Sequence, residues 1–522
     1  MGKLEALFLA LLVSPAVAAT AQAPQVRVGS SDTIIAERED LWEFSCVVAP
    51  PRAEGCGKVF LSGRSNDGVP PSIGGVTAFL YQSDLVCNYT PCATDVYKMK
   101  FPTKPGMAED PTTGLQFEDF VENDSVMARL PNGRLLFVRG LTRRSPGGVS
   151  RSGTMIWGSD DNGNTWRKLS FIDPIDPQVE GGKYTGGWDR EEVYADPWTG
   201  HVFLSMGGVS GPGAPAAKGL LLFRSDDGGQ KWGMSRKVSN GGQPLMMTSL
   251  PNRLFLFQCF GERPVLWWSL NEGKDLKPGA NGATVFWDDG TGAPKPGSAN
   301  SCATLPAWGV EGSQSISRVG RSTNRKGVGV STVRITYPSV VTDQLGTRQV
   351  LRIIIADVPD DGSPVTFRNS RTIEATGVNN QPLRDSAVQA TVIEADPSSI
   401  PSPPTMVPPL ENTAYIYWKA IGKPQASAGN QVVASVQGLA VRGADNYSMA
   451  IMLSREPAGI KLPRFWSAIR ADGTPIEQKT GHYSKGGFYY DPATNELRYL
   501  VQWVEPGESK MTLHTTLVGV KR

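Results

Sequence analysis

Acidic, basic and phenolic side chains recur at one kind of place in this chain, the start of a strand-like run. Glu122, Asn123 and Asp124 lead into such a run, as do Asp189, Arg190, Glu191 and Glu192. Gln243, Glu311 with Gln314, Arg384 with Asp385, and His482 with Tyr483 hold comparable places. Brought together from several segments, these groups would line a polar pocket for a small polyol or an acidic sugar. Carboxylates there could move protons, and guanidiniums could fork onto an anionic substrate group. Taken singly, each is more commonly a solvated loop residue. The chemistry therefore depends on elements that make the segments converge.

Those elements are repeated. Trp157-Gly-Ser159-Asp-Asp161-Asn-Gly163-Asn-Thr-Trp166 follows the apolar run Thr154–Trp157 and reads as a β-hairpin. Asp161 can cap backbone N–H groups across its turn, Gly163 takes the positive-φ position, and Trp166 folds back over it. Ser225-Asp-Asp227-Gly-Gly229-Gln-Lys-Trp232 is a second copy. Ser269-Leu-Asn271-Glu-Gly273 is a degraded third, and Ser454-Arg-Glu456-Pro-Ala-Gly459 a faint fourth. The first three start 66 and 44 residues apart, close to the ~40–50 of a propeller blade plus loop insertions. Each is preceded by a strand, a tight turn and a strand: 125–138, 192–205 and 245–257. The unit is strand, turn, strand, loop, strand, turn, strand, and stacking it radially gives four-stranded blades. A β-sandwich with coincidental turns is the competing reading.

The pattern Ser-x-Asp-x-Gly-x-Thr-Trp at 159–166 resembles the Asp-box, or BNR repeat, of sialidase-like β-propellers. That resemblance implies an all-β, six-bladed β-propeller with four-stranded antiparallel blades. Clear blades fall at 118–172, 186–238 and 243–290, a fourth covers the strands of 315–358, a fifth leads into Ser454, and the last spans 481–518. Part of 41–102 is expected to supply the outer strand that closes the ring. The resemblance further implies a Tyr nucleophile, an acid/base Asp and arginines that hold a carboxylate. His482-Tyr483-Ser484, ahead of the last strand pair, is similar to the family's Tyr-Ser stretch and puts the nucleophile at Tyr483. Glu311 with Arg334 is similar to its Glu followed by Arg. The loop from Arg139 to Trp157, where the acid Asp belongs, has no carboxylate and carries Arg139, Arg143, Arg144 and Arg151 instead. The catalytic set implied is Tyr483, Glu311 and Asp124. Asp189, Arg190, Glu191, Arg334 and His482 are left for substrate.

Gly 58 and Pro 40 in 522 residues, with 20% charged side chains, suit a turn-dense all-β chain. A net charge of +2 with no basic tract argues against a nucleic-acid partner. Lys3, the apolar run from Ala6 to Val13 and Ala16-Val-Ala18 read as a signal peptide over 1–18, followed by a polar, flexible arm over 19–40. The run is too short to span a bilayer. The rest, 41–522, is expected to be one domain with loop insertions at 290–306 and at the proline-rich 397–409, secreted or periplasmic. Six cysteines in an exported chain favour disulfides. Local pairing gives Cys46–Cys56, Cys87–Cys92 and Cys259–Cys302 among fifteen connectivities, with buried free thiols as the other outcome. No metal-ligand spacing is present and no cofactor is implied. Two functions fit: a glycoside hydrolase with a divergent site acting on a glycan or glycoconjugate, or a non-catalytic propeller that binds glycan or protein.

Overall fold

The computed structural model describes residues 26–38, 41–49, 58–65, 77–84, 98–99, 108–109, 116–117, 120–144, 150–172, 187–209, 219–239, 245–260, 263–277, 282–285, 302, 314–374, 382, 386–394, 413–421, 447–453, 465–467, 477–478, 487–491, 496–506 and 511–521, with side chains mainly between 125 and 374. All regular elements among them are β-strands, and no helix is long and apolar enough to cross a membrane.

Besides the two-stranded pair Ala108–Glu109 and Gln116–Phe117, the strands form five separate four-stranded sheets and a nine-stranded one that contains two further four-strand meanders. In chain order we label them I to VII. Sheet I holds Leu41–Ala49, Lys58–Ser65, Thr77–Asp84 and Lys98–Met99. Sheet II holds Phe120–Arg129, Leu135–Arg144, Ser150–Ser159 and Arg167–Ile172. Sheet III holds Gly187–Ala195, Val202–Val209, Gly219–Ser225 and Gly233–Ser239. Sheet IV holds Met246–Leu250, Arg253–Phe260, Arg263–Ser269 and Ala283–Thr284. Sheet V holds Ser315–Thr323, Gly329–Asp343, Gly346–Pro359 and Thr366–Ile373. Sheet VI holds Ser386–Glu394, Thr413–Ile421, Tyr447–Leu453 and Phe465–Ser467, and a single parallel bridge, Gln349 to Ala387, joins it to sheet V. Sheet VII holds Gly487–Asp491, Glu496–Pro506 and Met511–Lys521, completed by Val26–Arg38 from the other end of the chain.

The sequence reading reaches six units because it assigns part of 41–102 to ring closure. That segment makes sheet I, and the closing strand is Val26–Arg38, inside the stretch read as a polar arm. An outermost strand has one neighbour, so its stretch Gly29-Ser-Ser-Asp-Thr33 is polar enough to pass for an arm. Residues 1–18 and the insertions at 290–306 and 397–409 lie outside the described residues.

Sheets I to V stack face to face in chain order, as the blades of a β-propeller do. Phe60 of sheet I meets Phe137 and Leu135 of sheet II. On the other face of sheet II, Leu136, Val138 and Ile156 meet Val202, Leu204 and Leu221 of sheet III. Phe203 and Leu220 then meet Leu254, Leu256 and Trp267 of sheet IV. Phe255, Phe257 and Trp268 meet Val333, Ile335 and Ile354 of sheet V. Odd and even residues of one strand thus serve opposite seams. Burial on both faces explains runs such as Leu254-Phe-Leu-Phe257, where polar alternation is absent.

In sheets II to V the first-to-second and third-to-fourth connections share one end, the turn end. Here the three hairpins repeat one hydrogen-bond scheme. Ser159 Oγ accepts the Gly163 N–H (2.8 Å) and donates to Asp161 Oδ1 (2.8 Å), which also accepts the Thr165 N–H (2.8 Å). Ser225, Asp227, Gly229 and Lys231 do the same, each at 2.8 Å. Asn271 substitutes for aspartate because its Oδ1 keeps the acceptor role toward Asp275 N–H at 2.9 Å. Bonds from the Thr165 hydroxyl and N–H hold the Asp161 carboxyl down at about 2. Each turn needs two consecutive left-handed residues: Asn162 and Gly163, Gly228 and Gly229, Glu272 and Gly273. Trp166 covers its own turn, donating to Gly163 O at 3.2 Å, and lies edge-on to Phe60 of sheet I. Trp232 donates to Ser170 of sheet II at 3.0 Å. These turns therefore fasten neighbouring sheets together as well as reversing the chain.

Asp360, in the corresponding turn of sheet V, takes Arg253 of sheet IV at 2.6 Å and Arg321 of its own sheet at 2.5 Å. Burial pushes the Asp360 carboxyl up, and the bonds from Arg253 and Arg321 outweigh it, so its pKa lies below the ordinary value. The stabilisation is present above the unfolded carboxyl pKa and is lost as pH falls through the lower folded value. Asp360→Asn is expected to cost about 1–3 kcal/mol at neutral pH. Urea unfolding should show that gap from wild type closing in strong acid.

Candidate functional site

The first strand of each sheet starts at the opposite, leading end, which is where the sequence places its chemistry. In three consecutive sheets that strand carries the same irregularity. Pairing skips between Trp42 and Ser45 in sheet I, between Glu122 and Ser125 in sheet II, and between Asp189 and Glu192 in sheet III. In each case two residues oppose one. Glu43-Phe44 stand against Gly63, Asn123-Asp124 against Gly140, and Arg190-Glu191 against Met206. Such bulges re-aim side chains and are enriched beside active sites. Asp124 and Arg190 thus each occupy a bulge of neighbouring first strands, and Asp189 sits at the edge of the second.

The bulge also changes the expected fate of Glu191 and Glu192. Strict alternation would send them to opposite faces with one in the pocket. Both are buried instead, at 2% and 8% exposure. Glu191 lies in the seam between sheets II and III, where its Oε1 accepts the Thr154 hydroxyl at 2.8 Å. The same hydroxyl lies 2.9 Å from Met206 Sδ. Thr154 is paired to Gly140, the residue opposite the Asn123-Asp124 bulge. The two bulges are therefore tied to one another through Thr154.

Arg139 is a buried cation next to the sheet II bulge that the sequence reading placed in a basic loop. It pairs with Ser125 immediately after the bulge and is buried on the face of sheet II turned toward sheet I. Its guanidinium lies 5.7 Å from the centroid of the Phe137 ring. Desolvation by burial pushes its pKa down to about 9. The signal available was its place two residues after Phe137 in an alternating strand. Arg139 and Glu191 occupy opposite faces of sheet II.

Arg334 is buried on the second strand of sheet V, opposite Ser317. Sheet IV stands between it and Glu191. Gln314 has a structural task, accepting the Cys259 N–H at 2.9 Å. Cys259 itself is bonded to Cys302, the pair expected from local spacing. Glu311, His482 and Tyr483 lie outside the described residues, as do the side chains of Asp124, Asp189, Arg190 and the other four cysteines. Among the described residues no cluster of His, Cys, Asp and Glu could hold a metal ion.

No family model matches the chain, and no curated protein matches it. Solved structures similar to it include a protein of unknown function from Dyadobacter fermentans, at 12% identity and a TM-score of 0.41, covering 95% of this chain and 99% of that one. The α-L-arabinofuranosidase of Fusarium graminearum in complex with arabinobiose aligns at 10% identity and a TM-score of 0.39, covering 94% and 97%. A Hadza microbial sialidase aligns at 10% identity and a TM-score of 0.37, covering 94% and 96%. Likeness at this level aligns outlines and assigns no residue; what the chain's own strands establish is an all-β protein of four-stranded antiparallel sheets packed in series.

Proposed function

We propose that this chain is an exported, sialidase-like propeller that acts on glycans, a glycoside hydrolase whose site lies at the leading end of its sheets. The observation that carries the reading is the repeated first-strand bulge, which sets Asn123-Asp124 and Arg190-Glu191 side by side on neighbouring sheets. In this reading Tyr483 is the nucleophile, Asp124 and Glu311 supply the carboxylate chemistry, and Asp189, Arg190, Arg334 and His482 contact the substrate. Glu191 holds the two bulges in register through Thr154. A disulfide at Cys259–Cys302 fits an oxidising, extracytoplasmic destination.

The test is hydrolysis of a panel of aryl glycosides, a sialoside and an arabinofuranoside included, by wild type, Tyr483→Phe and Asp124→Asn. The expected result is turnover of at least one substrate by wild type, with both variants down by ~100-fold or more. Equal turnover in wild type and Tyr483→Phe would remove that residue from the mechanism. A second reading, a glycan-binding propeller without turnover, is favoured by the burial of Glu191 against Thr154, which makes that carboxylate a strut. Retention on a glycan array with no hydrolysis of any substrate would select it.

A further inference from the structure

Sheet V differs from its neighbours at the leading end. In sheets II, III and IV the second strand stops at, or shortly after, the residue paired with the start of the first. Phe120 pairs with Arg143 and the strand ends at Arg144, Gly187 pairs with the terminal Val209, and Met246 pairs with Phe257 three residues before the end at Phe260. In sheet V, Ser315 pairs with Thr336, yet the ladder of the second and third strands runs on to Asp343 and Gly346. The fourth strand stops with Ile373, level with Leu351. From Ser339 and Val350 outward the sheet is therefore a two-stranded hairpin, its tip roughly 20 Å beyond the start of the first strand. One parallel bridge, Gln349 to Ala387, ties its flank to sheet VI. The hairpin stands at the same end as the first-strand bulges that carry Asp124 and Arg190.

The hairpin is built to hold its shape. Its register is unbroken from Val330 and Pro359 outward, and Ser339, Gln349 and Val350 are fully buried. At the tip, Asp343 Oδ1 accepts the Leu345 N–H at 2.8 Å, and Gly346 takes the left-handed φ of 89° that closes the turn. Arg348 forks onto both oxygens of Asp343 at 2.6 and 2.8 Å, and its Nε donates to Glu374, just past the fourth strand, at 3.1 Å. The bonds from Arg348 hold the Asp343 carboxyl down at about 2, so the fork persists well into acid. What this rigid tip offers to solvent is mixed. Leu345 is the one exposed large apolar side chain among the described residues. Next to it, Thr342 and Thr347 face each other across the ladder with their hydroxyls 3.2 Å apart. An aliphatic surface beside hydroxyls suits a sugar ring, which has an apolar C–H face and a hydroxyl edge. A tip set so far outward is beyond the reach of one sugar seated at the level of the first strands.

Resting on the glycan reading above, we propose that the 339–350 hairpin is a side wall for an oligosaccharide, with Thr342, Leu345 and Thr347 contacting sugars several places removed from the one at the first strands. The experiment is retention of the intact chain on a glycan array that carries each linkage as mono-, di-, tetra- and hexasaccharide. Wild type is compared with the triple variant Thr342→Ala, Leu345→Ala, Thr347→Ala. Wild type is expected to hold at least one tetra- or hexasaccharide about 10-fold more tightly than the matching monosaccharide. The triple variant should lose that difference while holding the monosaccharide as wild type does. If wild type holds long glycans no better than short ones, or the triple variant keeps the preference, the wall is overturned. Retention of short glycans, or hydrolysis of the aryl glycosides, then keeps the glycan reading standing; absence of both removes the two together. The length series of wild type needs no variant, so a misfolded substitution leaves the test decisive.

Discussion

Gly273→Ala is expected to destabilise the chain by about 2–5 kcal/mol, and Gly133→Ala by about 1–2 kcal/mol, although both glycines have positive φ. Gly133 (φ 91°) has open space where a Cβ would go, so only the backbone term applies. Gly273 (φ 80°) would place its Cβ 2.7 Å from Phe203 Cε1 and 3.2 Å from Leu254 Cδ2. Phe203 is 1% exposed in the core between sheets III and IV and has nowhere to go. Gly229→Ala should fall between the two, since its nearest neighbour, Leu136 Cδ2, is at 3.3 Å and at the end of a flexible side chain. Urea midpoints for the three variants, ranked in that order, check the close approach of turn to sheet. Equal losses for Gly273→Ala and Gly133→Ala would mean that the seam is looser than described.

The Cys259→Ala, Cys302→Ala double variant is the second large effect. The bond closes a sequence separation of 43 residues between the second strand of sheet IV and the approach to sheet V. Chain entropy assigns about 4 kcal/mol to a loop of that length. Both residues are 3% exposed, so alanine, which adds no buried hydroxyl, isolates the cross-link from a new polar defect. The loss should be local as well as global. Exchange protection is expected to drop first around Phe257, Tyr337 and Ile354, whose side chains share that seam. A melting temperature unchanged by the double variant and by reducing agent would show the cross-link to be energetically idle.

How much could be read in advance follows the range of the interaction. The turns at 159–166, 225–232 and 269–275 were legible because every group in the scheme lies within eight residues of its partner. The Cys259–Cys302 bond was legible as the locally paired option. The bulges were not, because a bulge exists only relative to a partner strand: Glu191 and Glu192 look like ordinary alternation until Met206 and Ser205 are set beside them. Arg139 was read as a loop cation although its spacing from Phe137 continues that strand, because coverage of both faces is not a local property. Closure of the ring was misassigned since Val26 and Val520 are partners from opposite ends of the chain.

That last pairing bears on how the molecule is made. Val26–Arg38 is synthesised well before Met511–Lys521, the strand that forms its ladder among the described residues. Joining segments so far apart costs only about 0.6 kcal/mol more than at half the separation, but it delays the event until Met511–Lys521 has been made. Throughout that interval an unpaired β-edge is available to any other nascent chain. A chaperone that shields Val26–Arg38 during synthesis is expected to raise the yield of folded protein.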